Sequence, residues 1–331
     1  MRSLPFLLKP VEKDYLWGGR RLRERYGKKG ATETVAETWE CSTHPHGLTS
    51  IASGPLLGMT LQQALQEQPQ WLGTDVLSKV GDSGMLPILV KFIDAAKDLS
   101  IQVHPNDDYA AIHENGQKGK TEWWYVLEAE EKAQLVYGFH RTITAEELRQ
   151  RIADGTIEQC LRYMPVKADE VYPVPAGTVH AIGAGSIIVE IQECSDLTYR
   201  LYDYNRRNAN GALRPLHVDK VLAVAKTDES MPVRQPLRTL KFYRGYAMEL
   251  LWRCPYFQVE RMLWNTETEE QEVFLSQLSE SFQVFICIKG EGCLTGPDFV
   301  LPFTKGQTVF MPAGEERFQL EGFGQLLKVR C

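Results

Sequence analysis

An internal repeat constrains the fold of this chain more than any other feature of its sequence. The segment KADEVYPVPAGTVH, which ends at His180, aligns without gaps on TKGQTVFMPAGEER, which ends at Arg317, and Pro-Ala-Gly recurs in both. Upstream, WYVLEAEEKAQL and VFICIKGEGCL share a pattern of strand, polar turn and strand. The repeat predicts two copies of one β-unit, although a similarity this short can also arise by chance.

The two copies differ at the residues that could bind a metal ion. His180 of the first copy is replaced by Arg317 in the second, and Glu122 is replaced at about Ser281. We therefore expect a metal site in the first copy only. Such a difference is expected if the unit was duplicated and the second copy then lost its ligands.

Four residues of the first copy lie beside strand or turn signals that can aim them inward. Gln102 and His104 are two apart in LSIQVHPND, so on a strand they point to the same face. Glu122 opens the strand of GKTEWWYVL, and His180 ends a Pro-x-Gly-x-x-His turn. Such ligands suit zinc or another first-row divalent ion, and a small ligand set leaves room for water or substrate. A single histidine is more often a hydrogen-bonded or surface group, so the prediction depends on the combination.

Composition and charge exclude several classes of protein. The 331 residues suffice for two domains, and the formal net charge of -6 opposes binding to a nucleic acid backbone. No apolar run is long enough to cross a bilayer, and the start lacks the apolar core and cleavage site of a signal peptide, so we expect a cytoplasmic protein. The seven cysteines are scattered without Cys-x-x-Cys, which indicates reduced thiols.

The pattern along the chain is β-rich with helical interruptions. Capped helices are predicted from Thr60 in TLQQALQEQPQWLG and from Thr144 in TAEELRQRIADG, and a helical turn follows His104. The apolar run MLPILVKFIDA predicts a buried strand that carries Lys91.

A polar segment divides the chain into two predicted domains. Residues 227–240 are polar with two prolines and form the best linker, and the segments beyond them alternate like short strands. We therefore predict an N-terminal catalytic domain over residues 1–235 and a C-terminal domain without metal ligands over residues 236–331.

Long motifs, in order, closely resemble type I phosphomannose isomerase in its shorter bacterial form. They are LVKFIDAAKDLSIQVHPNDDYA, GKTEWWYVLEAEEKAQLVYGF, VPAGTVHAIGAGSIIVEIQECSDLTYRLYDYNR, and the early DYLWGG and AETWE. The resemblance runs from about Lys9 to Val224 and continues more weakly to the C-terminus. It implies a mainly β fold of two cupin-type jelly-roll barrels, with helical insertions in the N-terminal half. It also implies a zinc-dependent aldose–ketose isomerase that interconverts mannose 6-phosphate and fructose 6-phosphate.

The resemblance also implies a set of metal ligands. Carried over by motif, the zinc ligands fall on His104, Glu122 and His180, with Gln102 as the fourth candidate, for one ion per chain. The ligand pair is Gln-x-His where many cupins have His-x-His, and phosphomannose isomerases share this departure. The C-terminal copy has none of these ligands, and the resemblance does not assign it a role.

The same resemblance implies the other residues of the site. The active-site arginine falls on Arg200 in TYRLYDY, and the pocket lysines fall on Lys91 and Lys120. An acidic residue after the last zinc histidine falls on Glu190. Trp17, in the DYLWGG loop, is either a core aromatic or a platform for the sugar.

The chemistry can be argued from these residue types as well. Moving a carbonyl between C1 and C2 removes a proton beside it, and a divalent metal stabilises the resulting enediolate as a Lewis acid. Arg200 could hold developing charge or a phosphate oxygen, or could form a surface ion pair with Asp196 or Asp203. Lys91 lies in an apolar strand, where a buried ammonium requires a partner. The proton-transferring base stays open among Glu190, Lys91, Lys120 and a metal-bound hydroxide.

Two other functions fit the sequence. The chain could be a sugar-binding or regulatory cupin without turnover, or a metal-dependent isomerase of another hexose phosphate. In each case the expected partner is a small hexose phosphate, with no nucleic acid, no membrane and no obligate protein partner. We expect a monomer or a weak homo-oligomer.

Overall fold

The structure is a computed structural model that describes residues 3–207, 210–267 and 272–331. Its fold is mainly β, as predicted. The strands of the first part of the chain are β1 (Phe6–Lys9), β2 (Val11–Lys13), β3 (Glu37–Cys41), β4 (Ser50–Ile51), β5 (Ile88–Ala95), β6 (Ile101–Val103), β7 (Glu122–Ala129), β8 (Gln134–Phe139), β9 (Leu161–Pro165), β10 (Val171–Val174), β11 (His180–Ile182), β12 (Ser186–Glu193) and β13 (Tyr199–Tyr202). Those of the second part are β14 (Lys241–Tyr243), β15 (Tyr246–Arg253), β16 (Gln258–Asn265), β17 (Val273–Ser276), β18 (Gln283–Gly296), β19 (Phe299–Thr304), β20 (Thr308–Met311) and β21 (Arg317–Arg330).

The helices of the described residues all lie in the N-terminal part, as expected for helical insertions. Both predicted N-caps are present: the Thr60 side chain accepts from the Gln63 amide in a capping box, and the Thr144 side chain accepts from the Glu147 amide. The α-helices are α1 (Arg21–Tyr26), α2 (Leu61–Glu67), α3 (Thr74–Val80), α4 (Asp107–His113), α5 (Ala145–Ala153) and α6 (Val218–Val224). Single 3₁₀ turns cover Pro69–Leu72 and Ile157–Cys160. No helix in these ranges is long and apolar enough to cross a membrane.

The strands form three open sheets, which do not confirm the two jelly-roll barrels that we expected. A six-stranded sheet has the order β10-β7-β12-β5-β3-β2, and a five-stranded sheet has the order β13-β6-β11-β8-β9. A ten-stranded sheet follows β14-β15-β16-β21-β18-β20-β1-β4, with β17 on β21 and β19 on β18. The sheets stay open because their end strands pair on one side only. A cluster of buried side chains that includes Trp124 and Ile182 joins the six- and five-stranded sheets.

Strand register supports the internal repeat and corrects one residue of it. β10 and β20 occupy equivalent positions of the alignment, and β11 and β21 begin at His180 and Arg317. Val174 pairs with Glu122, whereas its counterpart Met311 pairs with Gln283. The residue in the place of Glu122 is therefore Gln283, and the expectation of Ser281 was wrong by two positions.

The predicted domain boundary is crossed by backbone pairing. β1 and β4, near the N-terminus, extend the sheet of the C-terminal half, because β1 pairs with β20 on one side and with β4 on the other. The division at residue 235 stays a prediction.

Candidate metal centre and pocket

Three predicted ligands converge in the space between the six- and five-stranded sheets. Glu122 begins β7, His180 begins β11, and His104 directly follows β6. Their ligand atoms all lie within 4.8 Å of one another, and each side chain is about 1% exposed. Gln102 pairs with His180 across β6 and β11, and its amide nitrogen lies 3.5 Å from the His180 Nε2 atom.

Backbone carbonyls orient both imidazole rings toward Glu122. The His104 Nδ1 atom lies 2.7 Å from the Leu197 carbonyl oxygen, and the His180 Nδ1 atom lies 2.8 Å from that of Thr178. A carbonyl oxygen can only accept, so each Nδ1 atom carries the proton and each Nε2 atom presents a lone pair. The Nε2 atoms lie 3.1 Å and 3.4 Å from the Glu122 oxygens. A histidine that binds a metal ion through Nε2 has this tautomer, and the hydrogen bond at Nδ1 holds its ring in place.

The protonation states of the cluster are those that a metal ion requires. Burial, together with the charge of Lys120, lowers the pKa of His104 to about 3, and burial lowers the pKa of His180 as well. Burial opposes the charge on Glu122, but the Lys120 ammonium outweighs it and holds the pKa of that carboxyl well below its usual range. The cluster is thus two neutral imidazoles and one carboxylate, which bind a cation without first losing protons.

The carboxylate of Glu122 is the strongest sign that the cluster fits a cation. Both of its oxygens are buried, and each faces the Nε2 lone pair of a neutral imidazole, at 3.1 Å for His104 and 3.4 Å for His180, where no proton is shared. The Lys120 ammonium lies 2.6 Å from one oxygen and 3.3 Å from the His104 Nε2 atom. Lone pairs of nitrogen and oxygen that face one another in a buried site need a cation between them, so this donor set fits a divalent ion such as zinc.

A pocket of about 330 Å³ opens beside this cluster, and Gln102 and Lys120 line it. At its floor the Lys91 ammonium lies 2.9 Å from one oxygen of Glu190, and the indole of Trp124 donates to the other oxygen at 2.9 Å. Burial disfavours the charge on Lys91, but Glu190 and Glu37 outweigh it and raise its pKa. Burial and the charge of Glu122 raise the pKa of Glu190. Lys91 therefore stays an ammonium, and the Glu190 carboxyl takes up a proton more readily than an exposed glutamate does.

Arg200 enters the same pocket from β13. Its Nε atom donates to the Ser100 hydroxyl at 3.2 Å, and a terminal nitrogen donates to the Pro215 carbonyl at 3.1 Å. Among the described residues, neither Asp196 nor Asp203 forms the surface ion pair with Arg200 that was the alternative. Asp203 pairs with Arg206 and Arg214, and Asp196 contacts His46. The guanidinium of Arg200 therefore has hydrogen-bonding capacity left for an anionic ligand.

Trp17 also lines the pocket, and its ring stacks on Tyr15 with 5.4 Å between centroids. The structure thus brings every predicted site residue to the buried cluster or to the pocket. Sequence reasoning missed several further lining residues, which are Lys13, Tyr15, Glu37, Trp39, His46, Asp196 and Arg214. Tyr15, Glu37 and Trp39 lie within the motifs DYLWGG and AETWE, which is the signal that could have identified them.

Two family models match the chain. The model described as phosphomannose isomerase type I, catalytic domain, matches residues 6–142. The model described as mannose-6-phosphate isomerase, cupin domain, matches residues 249–331.

Full-length relatives agree with these models. Mannose-6-phosphate isomerase ManA of Bacillus subtilis (strain 168) is 37% identical over 327 residues, which cover 99% of each chain. The crystal structure of the mannose 6-phosphate isomerase from Bacillus subtilis has a TM-score of 0.87 at 35% identity, covering 98% of this chain and 99% of that one. A zinc-bound mannose 6-phosphate isomerase has a TM-score of 0.77 and covers 99% of each chain, but at 19% identity this likeness shows the fold alone.

The fold and the site together define a cupin-class protein with a buried centre that could hold a metal ion. The full-length similarity to mannose-6-phosphate isomerases identifies the family within this class. The chain belongs to the mannose-6-phosphate isomerase family, and it is an isomerase.

Proposed function

We propose that the chain interconverts mannose 6-phosphate and fructose 6-phosphate through an enediolate, with one zinc ion bound by His104, Glu122, His180 and Gln102. The observation that carries this proposal is the buried carboxylate and imidazole cluster, which opens through Gln102 onto a cationic pocket. A zinc ion bound there supplies Lewis acidity for the carbonyl and enediolate oxygens.

The pocket residues transfer the proton and stabilise the negative charge. Glu190, whose pKa burial raises, accepts the proton removed from carbon and returns it to the neighbouring carbon. Lys91, held 2.9 Å away as an ammonium, orients Glu190 and stabilises negative charge beside it. Lys120 adds a second cation near the reacting oxygens, where a fixed positive charge stabilises the negative charge that develops.

The phosphate end of the sugar lies against Arg200 in this proposal. Arg200 offers several donors in a fixed plane, which suits a phosphate oxygen or developing charge. Trp17 provides a flat apolar surface against a sugar ring. The substrate is thus held between the reacting centre and a cationic anchor.

Metal removal tests the function. Chelation should abolish conversion of mannose 6-phosphate in a coupled assay, and added zinc should restore it, with elemental analysis of the purified chain counting the ion. Rates on mannose 6-phosphate and glucose 6-phosphate, measured side by side, identify the preferred sugar. Full turnover by the metal-free protein would contradict the mechanism.

A further inference from the structure

A second group of ligand-type side chains lies at the mouth of the pocket. His44 and His46, between β3 and β4, meet Asp196, which lies between β12 and β13, with their donor atoms within 4.8 Å of one another. The His46 Nδ1 atom lies 2.5 Å from one oxygen of Asp196, and the His44 Nε2 atom lies 3.5 Å from the other. This group is separate in sequence from every candidate zinc ligand.

The hydrogen bonds of His44 argue against a metal ion at this second group. The backbone N–H of His46 donates to the His44 Nδ1 atom at 3.2 Å. The proton of the neutral ring therefore sits on Nε2 and faces Asp196, where a metal ion would need a lone pair. This tautomer is the reverse of that in His104 and His180, whose Nδ1 atoms face carbonyl oxygens.

The same hydrogen bonds make His46 and Asp196 a dyad. The Asp196 carboxylate accepts from the His46 Nδ1 atom, and this contact lowers the pKa of Asp196 against the opposing effect of burial. The second ring nitrogen of His46 then presents a lone pair. A carboxylate that orients an imidazole in this way is the arrangement that makes histidine an effective general base.

The dyad of His46 and Asp196 forms part of the pocket wall. His46 and Asp196 line the same cavity as Lys91 and Glu190. The Lys13 ammonium donates to the His46 carbonyl oxygen at 2.6 Å, which holds the turn in place. The side chain of His46 is 71% exposed, so protons can exchange with water at the mouth. The pocket thus has one proton-handling pair at its floor and another at its entrance.

We propose that His46 is a general acid–base in ring opening of the sugar, with Asp196 as its positioning residue. This inference rests on the proposed function, because hexose phosphates are mostly cyclic hemiacetals and an enediolate forms only from the open chain. The anomeric hydroxyl gives its proton to the His46 Nε2 atom as the C1 carbonyl forms. The bond from C1 to the ring oxygen breaks, and that oxygen takes a proton from a water molecule at the pocket mouth. The His46 imidazolium then gives its proton to the hydroxide that this water leaves, which restores the neutral ring.

Chemical rescue tests this role, since the exposure of His46 allows added imidazole to enter. His46→Ala should lower kcat for mannose 6-phosphate at least 100-fold, with bound zinc unchanged, and imidazole should restore turnover in proportion to its concentration. The wild type and His113→Ala, which changes a histidine of α4 outside the pocket, are the controls at the same imidazole concentrations.

The outcomes separate this inference from the proposed function. Unchanged kcat in His46→Ala would overturn the inference, and so would a loss that imidazole does not recover. Asp196→Asn should also lower kcat, and the double variant should be about as slow as His46→Ala alone, because the two residues act as one unit. If the wild type itself does not convert mannose 6-phosphate, the proposed function fails.

Discussion

Arg200 is the residue for which the proposed mechanism makes the clearest prediction. Its guanidinium contacts Ser100 and Pro215, and neither residue is a candidate metal ligand. Arg200→Ala should therefore leave bound zinc nearly unchanged while kcat falls by about 10² to 10³, as for loss of one donor to a charged transition state. Elemental analysis and steady-state kinetics on the same preparation measure both quantities.

A control variant separates local from general effects of removing an arginine. Arg149→Ala removes an exposed arginine of α5 that pairs with Asp219. It should leave both zinc content and kcat as they are. Loss of zinc in Arg200→Ala would assign that residue a folding role instead.

Glu193, at the end of β12, carries a pH dependence of stability that the sequence did not reveal. Burial raises the pKa of this carboxyl from 4.5 to about 7, although its oxygen accepts from the Thr121 amide. The folded state therefore binds the proton more tightly than the unfolded chain. The stability that this proton provides is complete below pH 4.5 and is lost as the pH rises through 7.

Glu193→Gln should remove this pH dependence. Relative to the wild type, the variant should gain free energy of unfolding between pH 5 and pH 8, by roughly 3 kcal/mol at most. Urea unfolding of both proteins at the two pH values measures the difference. An equal difference at pH 5 and pH 8 would contradict the assignment.

At the scale of elements, the turn between β10 and β11 is the part of the repeat that contacts the candidate metal centre. Gly177 of the Pro-Ala-Gly segment has a φ of +86°, and its amide donates to the His104 carbonyl oxygen at 2.9 Å. A Cβ atom there would lie 2.9 Å from the Val224 carbonyl oxygen. Only glycine combines this positive φ with the absence of a side chain that would clash. Gly177 thereby holds the backbone of His104, a candidate zinc ligand.

Gly177→Ala should therefore affect both stability and zinc binding. The matched control is Gly116→Ala, where φ is +81° but a Cβ atom would meet nothing within 4 Å. We expect Gly177→Ala to destabilise the fold by about 1–3 kcal/mol more than the control, and to weaken zinc binding by about 10- to 100-fold. Urea unfolding and zinc titration compare the two variants. Equal losses in Gly177→Ala and Gly116→Ala would show that the positive φ, and not the contact with Val224, determines the effect.

At the scale of the whole molecule, the ten-stranded sheet covers the back of the strands that carry the site. One core cluster combines Trp123 of β7 and Val189 of β12 with Val284 and Leu327 of the C-terminal half. Trp123 is the neighbour of Glu122, and Val189 is the neighbour of Glu190. The second copy therefore stabilises the sheet from which the pocket residues project.

A buried charge also joins the two halves. Glu40 of β3 is fully buried, lies 2.7 Å from the Lys28 ammonium, and accepts from the Thr308 hydroxyl of β20 at 3.0 Å. Removal of the C-terminal half would leave β1 without its partner β20 and would open one side of this contact. A buried charge that loses a partner is costly.

Truncation tests the predicted domain boundary on this basis. A chain of residues 1–235 should show no cooperative thermal transition by circular dichroism and should not bind zinc, whereas the full chain should do both. A cooperative transition with bound zinc would establish residues 1–235 as an independent domain. The predicted monomer or weak homo-oligomer stays a prediction.

The sequence by itself determined the family, through motifs that resemble it, and the β-rich pattern. It also determined the candidate set Gln102, His104, Glu122 and His180, because each of these residues lies beside a strand or turn signal. Only the tertiary structure decided which distant residues meet. Gln283 takes the place of Glu122 in the second copy because strand register, and not alignment, sets the pairing. His46 and Asp196, separated by 150 positions, meet because loops from different strands reach one pocket mouth. Local patterns specify short-range geometry, whereas contacts over such separations depend on how whole sheets pack.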